Sequence, residues 1–121
     1  LNHLGYSWVD GGIHLEQGMD MIRRALSLMP GSGAITDSLG WAHYKLGEYD
    51  EAIAYLERAA ELEPGLAEIS DHLGDAYWMT GRRTEARLQW ERAISLSEDE
   101  TEIEDIRRKI MTGPEAQAAS R

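Results

Sequence analysis

The chain has 121 residues, of which 42% are hydrophobic and 28% charged, a composition that suits a folded globular domain rather than a disordered segment. It contains no cysteine, which excludes disulfides, thiolate zinc sites and a cysteine nucleophile. Its formal net charge of −10 argues against a nucleic-acid partner and against direct contact with an anionic membrane surface. A cationic or neutral partner is the natural electrostatic complement.

The first segment, residues 1–32, is the least regular part of the pattern. Its stretch "GGIHLEQG" is one residue longer than the corresponding stretch of the later segments, so we expect a longer turn there. A helix is predicted over Glu16–Leu28. Its expected apolar side consists of Ile22, Ala25, Leu26 and Met29.

The second segment, residues 33–66, has the pattern of a helix, a short turn and a second helix. The first helix is predicted over Ser32–Leu46, and Gly47 is expected to end it. Acidic residues open the next helix, where they suit the positive end of the helix dipole. The apolar stripe of that helix consists of Ala52, Ile53, Leu56, Ala59 and Ala60.

The third segment, residues 67–100, repeats this order. A helix is predicted near Ala67–Thr80, Gly81 ends it, and Thr84-Glu85 opens a helix that continues to about Leu96.

The C-terminal part begins with an acidic run and continues into basic residues, a charge order that matches the dipole of one helix at both ends. We expect a capping helix over residues 101–112, with a polar outer face and with Thr101 and Glu104 in a capping box. Residues 113–121 are expected to be a flexible tail or linker. The apolar edge of the capping helix is Ile103, Ile106 and Ile110.

Five sets of residues recur along the chain at intervals of 34 or 35. They are Leu4-Gly5, Leu39-Gly40 and Leu73-Gly74; Gly12, Gly47 and Gly81; Gly18, Ala52 and Ala86; Ala25, Ala59 and Ala93; and Pro30 and Pro64. A period of this length indicates one supersecondary unit that stacks on copies of itself. The small residues mark the places where neighbouring helix backbones approach most closely, because a larger side chain there would overpack the crossing.

These residues resemble the tetratricopeptide repeat. The stretch "SLGWAHYKLGEYDEAIAYLERAAELEP" carries the family's Leu-Gly, Gly, Tyr, Ala, Ala and Pro, and "HLGDAYWMTGRRTEARLQWERAISL" carries a second set. His43 departs from the family's usual tyrosine, whereas Tyr77 keeps it. The resemblance implies an all-α, right-handed superhelical solenoid of three repeats, followed by the capping helix.

The stretches "LGYSWVDGG", "DSLGWAHYKLG" and "DHLGDAYW" are also similar in sequence to the repeat region of long exported proteobacterial proteins of this family. This resemblance implies a parent chain in the periplasm or attached to the outer membrane. Because Leu1 begins inside a patterned segment, we interpret the sequence as a piece of a longer chain.

One face of each first helix carries aromatic and acidic side chains at helical spacing. The family resemblance places this face on the concave side of the superhelix, where we expect a protein or peptide partner with basic and apolar side chains. Some family members bind acidic tails there through a clamp of Lys, Asn and Arg, and this chain has acidic and aromatic residues instead. The candidate partner-binding residues are Tyr6, Asp37, Trp41, Tyr44, Lys45, Glu68, Asp71, His72, Asp75 and Trp78.

Three alternatives compete with a partner-binding groove. In the first, Trp41 and Trp78 are core contacts that pack on neighbouring helices, as we expect for Trp8 and Trp90. In the second, the chain is a purely structural spacer within a longer solenoid and has no ligand of its own. A weak metal-dependent enzyme built on Glu68, His72 and Asp75 is the third alternative, but we expect no catalytic, metal or cofactor site, because such clusters are common on acidic helices. A homodimer of the fragment is a further expectation.

Overall fold

The computed structural model describes residues 15–114, which form six α-helices and no β-strand. The helices are α1 (Leu15–Leu28), α2 (Gly33–Lys45), α3 (Tyr49–Leu62), α4 (Ala67–Met79), α5 (Arg83–Leu96) and α6 (Glu100–Thr112). The ends predicted from sequence agree with these bounds to within about a residue, so the all-α fold class is confirmed. The expected longer turn, together with Tyr6 and Trp8, lies outside the described residues. No helix in residues 15–114 has the length and apolar character needed to cross a membrane.

The chain divides into two compact units, the first ending at Pro64 and the second beginning at Gly65. In the first unit, α1 packs on α2 and α2 packs on α3. In the second unit, α4 packs on α5 and α5 packs on α6. Each unit therefore contains one complete helix-turn-helix hairpin, α2–α3 or α4–α5, and one further helix.

Both hairpins turn at a glycine with a left-handed backbone. Gly47 has a φ of 79° and Gly81 a φ of 83°, a conformation that costs glycine nothing because it has no Cβ. In the first turn, the amide of Glu48 donates to the carbonyl of His43 at 2.9 Å, and the Gly47 amide donates to Tyr44 at 2.9 Å. The second turn repeats this pair of bonds. The helices thus end in Schellman motifs, as the glycine columns predict.

The small residues lie where the two helices of a hairpin cross. A methyl group added at Gly40 of α2 would lie 3.3 Å from the carbonyl oxygen of Ala52 on α3. One added at Gly33 would lie 3.2 Å from the carbonyl oxygen of Ala59, and both alanines are fully buried. The predicted role of the alanine columns is therefore correct for this hairpin.

The buried side of α1 lies nearer the start of the helix than the sequence predicts. Its buried residues are Gly18, Met19, Ile22 and Ala25, of which the last three form a cluster with Ile35, Leu39 and Ala42 of α2. Leu26 is only partly buried, and Met29 is 60% exposed because it follows the last residue of α1 rather than continuing the helical stripe.

The capping box expected at Thr101 and Glu104 is wrong. Asp99 is the N-cap of α6, with an extended backbone, and its carboxylate accepts from the amides of Thr101 and Glu102 at 2.9 and 3.3 Å. Thr101 lies inside the helix, so its side chain cannot cap the helix start. Along the predicted apolar edge, Ile106 is fully buried. Ile103 and Ile110 are half-buried.

Candidate functional site

An aromatic cluster lies at the C-terminal end of α2. Trp41 and Tyr44, three residues apart on one helix face, stack with ring centroids 4.5 Å apart and planes 7° apart. Tyr49, the first residue of α3, meets Tyr44 edge-on at 5.3 Å. We call these three residues the aromatic platform. Trp41 and Tyr44 were predicted from sequence for this surface and Tyr49 was not; Tyr49 reaches it because the turn brings α3 back beside α2.

A lysine of the same helix lies over the platform. The Nζ of Lys45 is 5.4 Å from the centroid of the Trp41 ring, within the range of a cation–π interaction. Lys45 itself is exposed, and Trp41 and Tyr44 are half-buried. The platform therefore presents aromatic surface that accepts an ammonium group.

Asp37, one helical turn before Trp41, is only 4% exposed. It was expected to supply negative charge to a partner, and its burial means that it offers little of that charge to solvent. Of the candidate residues on α2, the structure thus brings together Trp41, Tyr44 and Lys45 at the surface and places Asp37 inside.

Trp78 of α4 lies in a second aromatic contact, on the other unit. Its ring is tilted by 34° against the buried Trp90, with centroids 5.6 Å apart. The guanidinium of Arg83 lies 4.3 Å from the centroid of Trp78, which remains half-buried. Trp78 therefore combines a core contact with a cation on its ring. Trp90 is fully buried, as predicted.

Two further candidates on α4, Asp71 and Asp75, hold a lysine of α6. The Nζ of Lys109 donates to Oδ1 of Asp71 at 2.7 Å and to both carboxylate oxygens of Asp75 at 3.1 Å. The Nε1–H of Trp90 also donates to Oδ1 of Asp75, at 3.1 Å. We call Asp71, Asp75, Trp90 and Lys109 the Asp–Lys cluster.

The charges of the Asp–Lys cluster are shielded from water. Burial raises the pKa of Asp75 to about 6, against the lowering effect of the Lys109 ammonium. For Lys109, burial disfavours the charged form, but the carboxylates of Asp75 and Asp71 outweigh burial and raise its pKa. At pH 7 the pair is therefore ionic, and these two carboxylates are committed to a cation of the same chain.

Lys109 is the residue that sequence reasoning missed, although a signal for it exists. The interval from Asp75 to Lys109 equals the interval from Trp41 to Asp75, and both equal the repeat period. The search for columns of identical residues does not detect this column, because its members are an indole, an acid and a base.

Glu68 and His72 lie one turn apart on α4, with Nε2 of His72 and Oε1 of Glu68 separated by 4.0 Å. His72 is buried and Glu68 is exposed. The metal-binding alternative also needs Asp75, whose two oxygens accept from Lys109. Both oxygens of Asp75 are therefore engaged by an ammonium group of the same chain.

These features define an all-helical protein of helix-turn-helix repeats with aromatic and charged residues on the first helix of each hairpin. A family model described as "Tetratricopeptide repeat" matches residues 38–100, just over half of the chain. The chain belongs to the tetratricopeptide-repeat family.

Among curated proteins, the chain is 38% identical over 56 residues to the TPR repeat-containing protein PA4667 of Pseudomonas aeruginosa. The match covers 46% of this chain and 10% of that protein. The matched segment is thus about a tenth of the relative's length.

Two solved structures show the same fold. One is the first TPR domain of Spaghetti (RPAP3) bound to the HSP90 peptide SRMEEVD, with a TM-score of 0.78, 18% identity, and coverage of 99% of this chain and 90% of that chain. The other is the Yersinia enterocolitica type III secretion chaperone SycD in complex with a peptide of the translocator YopD, with a TM-score of 0.78, 18% identity, and coverage of 98% and 90%. At these identities the likeness establishes the fold alone.

Proposed function

We propose that this chain is a non-enzymatic scaffold or adaptor segment that binds a protein or peptide partner through the first-helix faces of its repeats. The partner carries basic and apolar side chains. The observation that carries the proposal is the aromatic platform of Trp41, Tyr44 and Tyr49, which lies at the surface with the ammonium of Lys45 over one of its rings.

The platform has the chemistry of a binding hot spot. Tryptophan and tyrosine are enriched among the residues that dominate binding energies, since they offer a large rigid surface with few rotatable bonds. The same rings attract cations, as Lys45 on Trp41 and Arg83 on Trp78 illustrate within this chain. A partner side chain from lysine or arginine can take the same position, with an apolar neighbour against the ring edges.

The similar structures bind peptides, which supports a protein or peptide partner for this chain. The charge of this chain supports a basic partner rather than an acidic one. The Spaghetti domain is bound to SRMEEVD, which has three acidic residues, and SycD is bound to a YopD peptide. This chain has a net charge of −10 and no basic clamp at the candidate positions. A basic partner is therefore favoured over an acidic tail.

A peptide-display selection on the immobilised chain tests the proposal. We expect the selected peptides to pair Lys or Arg with aromatic or aliphatic residues, and we expect binding to weaken as salt rises, because exposed charges are screened. Trp41→Ala should weaken binding by roughly tenfold or more, mainly by faster dissociation. Lys45→Met should strengthen it, since the internal cation no longer competes for the ring.

Leu88→Ala is the matched control, because Leu88 is 58% exposed on α5 and belongs to the other unit. Circular dichroism should show that all variants keep their helices. Selected peptides with acidic sequences would contradict the basic partner but keep the adaptor role. If no peptide binds in a Trp41-dependent way, the spacer alternative is the better description.

A further inference from the structure

The helix α6 repeats the register of α4. Ile103 and Asp105 of α6 follow Ile69 and Asp71 of α4 by the repeat period, and Lys109 follows Asp75 by the same interval. Lys109 therefore occupies in α6 the position that Asp75 occupies in α4, and the two side chains meet. Their charges are opposite at this one repeated position.

The surroundings of the Lys109 ammonium are those of a built binding site. It donates hydrogen bonds to three oxygens of two carboxylates, at 2.7, 3.1 and 3.1 Å. The side chains of Lys109, Asp71 and Asp75 are 13%, 17% and 5% exposed. The indole N–H of Trp90 fixes the orientation of Asp75 from the other side. Three donors of one ammonium group match three such acceptors.

The Lys109 ammonium belongs to α6 and is held by the carboxylates of α4, one of which accepts a hydrogen bond from α5. Asp71 and Asp75 belong to α4 and Trp90 to α5, whereas Lys109 is the only member of the cluster on α6. Asp71, Asp75 and Trp90 are thus held in place by a complete hairpin, and Lys109 reaches them from the adjoining helix. Removal of the Lys109 ammonium leaves two carboxylates that need another cation.

We propose that Asp71, Asp75 and Trp90 form a binding site for a primary ammonium group, that Lys109 fills it in cis, and that the site takes up a lysine side chain of the partner when the Lys109 ammonium is absent from it. The identity of that partner rests on the proposed function. The ammonium site does not, because it is tested without any partner.

Chemical rescue in the full chain tests the site. Lys109→Ala removes the atoms of n-propylammonium, so this ion should restore what the variant loses. We expect hydrogen exchange of the α6 amides to accelerate by roughly tenfold or more in Lys109→Ala, and n-propylammonium chloride to reverse most of the change. Potassium chloride at the same concentration should not. Rescue should vanish when Asp71→Asn and Asp75→Asn are added.

Lys109→Met provides the matched control, since it keeps the apolar stem and lacks the charge. It should accelerate exchange like Lys109→Ala but respond little to n-propylammonium, because the stem fills the space. If Lys109→Ala loosens the whole second unit, Lys109→Met still measures the effect of the lost charge, because it keeps the packing of the stem. Equal responses of α6 to potassium and n-propylammonium would overturn the ammonium site and leave the adaptor proposal untouched.

Access for a lysine side chain is tested with octalysine as the probe, by the NMR signal of the Trp90 indole N–H. We expect octalysine to shift this signal in Lys109→Ala and to leave it unchanged in the wild type. A shift of equal size in the wild type would show that Lys109 does not close the site. No shift in a folded Lys109→Ala that n-propylammonium rescues would show that the site does not admit a lysine from outside.

Discussion

The hairpins α2–α3 and α4–α5 share a frame of small residues but fill it with different large ones. Gly40 of the first hairpin faces Leu56, and Gly74 of the second faces the ring of Trp90. Leu56 and Trp90 occupy the same position of their repeats, and both are fully buried. The same crossing thus accepts either a branched aliphatic side chain or an indole, provided that the opposite residue is glycine.

The larger side chain brings a polar requirement with it. The indole N–H of buried Trp90 donates to Asp75, whereas Leu56 has no donor. In the first hairpin, the position equivalent to Asp75 is free to be Trp41, which belongs to the aromatic platform. In the second, the carboxylate is buried and is balanced by Lys109. The two hairpins thus differ both in the buried residue and in the residue opposite it, and one has an aromatic surface where the other has an internal ion pair.

The turns of the two hairpins show the same exchange of chemistry on a common backbone. Nδ1 of His43 lies 2.8 Å from a carboxylate oxygen of Glu48 in the first turn. In the second turn the equivalent residues are Tyr77 and Arg82, and the guanidinium lies 4.3 Å from the tyrosine ring centroid. The glycine fixes the backbone of both turns. The two side chains that meet across the turn therefore differ together, from a histidine and a carboxylate to a tyrosine and a guanidinium.

The largest expected effect comes from truncation of the two core residues. Trp90→Ala should lower the free energy of unfolding by about 3–5 kcal/mol, through lost burial and a cavity. Leu56→Ala should cost less, because it leaves no buried carboxylate without its donor. Urea denaturation of both variants measures the difference. Trp90→Leu, which copies the first hairpin, should still be destabilised; if it matches the wild type, Asp75 does not depend on the indole.

A smaller effect is expected at the facing glycines. A methyl group at Gly74 would clash with Cδ1 and Nε1 of the Trp90 ring, at a closer approach than the 2.8 Å between a methyl group at Gly40 and Cγ of Leu56. Gly74→Ala should therefore cost about 1–3 kcal/mol, even after alanine's helix preference of about 1 kcal/mol is included. Gly40→Ala should cost less because the leucine side chain moves more easily.

Thermal denaturation of Gly74→Ala, Gly40→Ala and the double variant Gly74→Ala/Trp90→Leu measures this contrast. Relative to Trp90→Leu alone, the double variant should lose less stability than Gly74→Ala loses relative to the wild type, because the ring that meets the new methyl group is gone. Equal destabilisation at the two glycines would mean that the hairpins yield to the same extent and that the indole does not set the second one apart.

A third effect, of about the same order as that at the glycines, is a pH dependence that arises in the second hairpin. The folded pKa of Asp75 is raised by burial to about 6, above its ordinary value of 3.8, so the folded state binds this proton more tightly than the unfolded state. The contribution of Asp75 to stability is therefore fully present below pH 4, where the carboxyl is protonated in both states, and is lost as pH rises through 6. The stability of Asp75→Asn relative to the wild type should therefore rise between pH 4 and 7, by on the order of 1–3 kcal/mol, on top of a pH-independent cost because Lys109 loses one charge partner.

Urea denaturation at several pH values measures this difference, and Asp20→Asn, at an exposed residue of α1, corrects for the change in net charge. The asparagine keeps an oxygen for the Trp90 indole but removes the charge opposite Lys109, so the pH dependence of the difference, rather than its size at one pH, reports on the Asp75 carboxylate. A constant difference across this pH range would mean that Lys109 and water offset the burial of the Asp75 carboxylate in full.

The sequence by itself determined the frame of this protein. The repeat period, the glycines at the turns and the alanines at the crossings are visible without coordinates, because the same close approach of backbones recurs in every repeat and selects the same small residue. The family, the all-α fold and the helix bounds follow from that recurrence. So does the burial of Trp90 at its column.

Only the tertiary structure decided which side chains complement one another. Lys109 with Asp71 and Asp75, and the indole of Trp90 with Asp75, join residues of different types on different helices, and Tyr49 with Tyr44 joins two helices that only the turn brings together. Complementary charge and hydrogen bonding need unlike partners, so they leave no repeated letter in the sequence. Asp71 and Asp75, read from sequence as acidic residues open to a partner, are for that reason half of an internal ion pair.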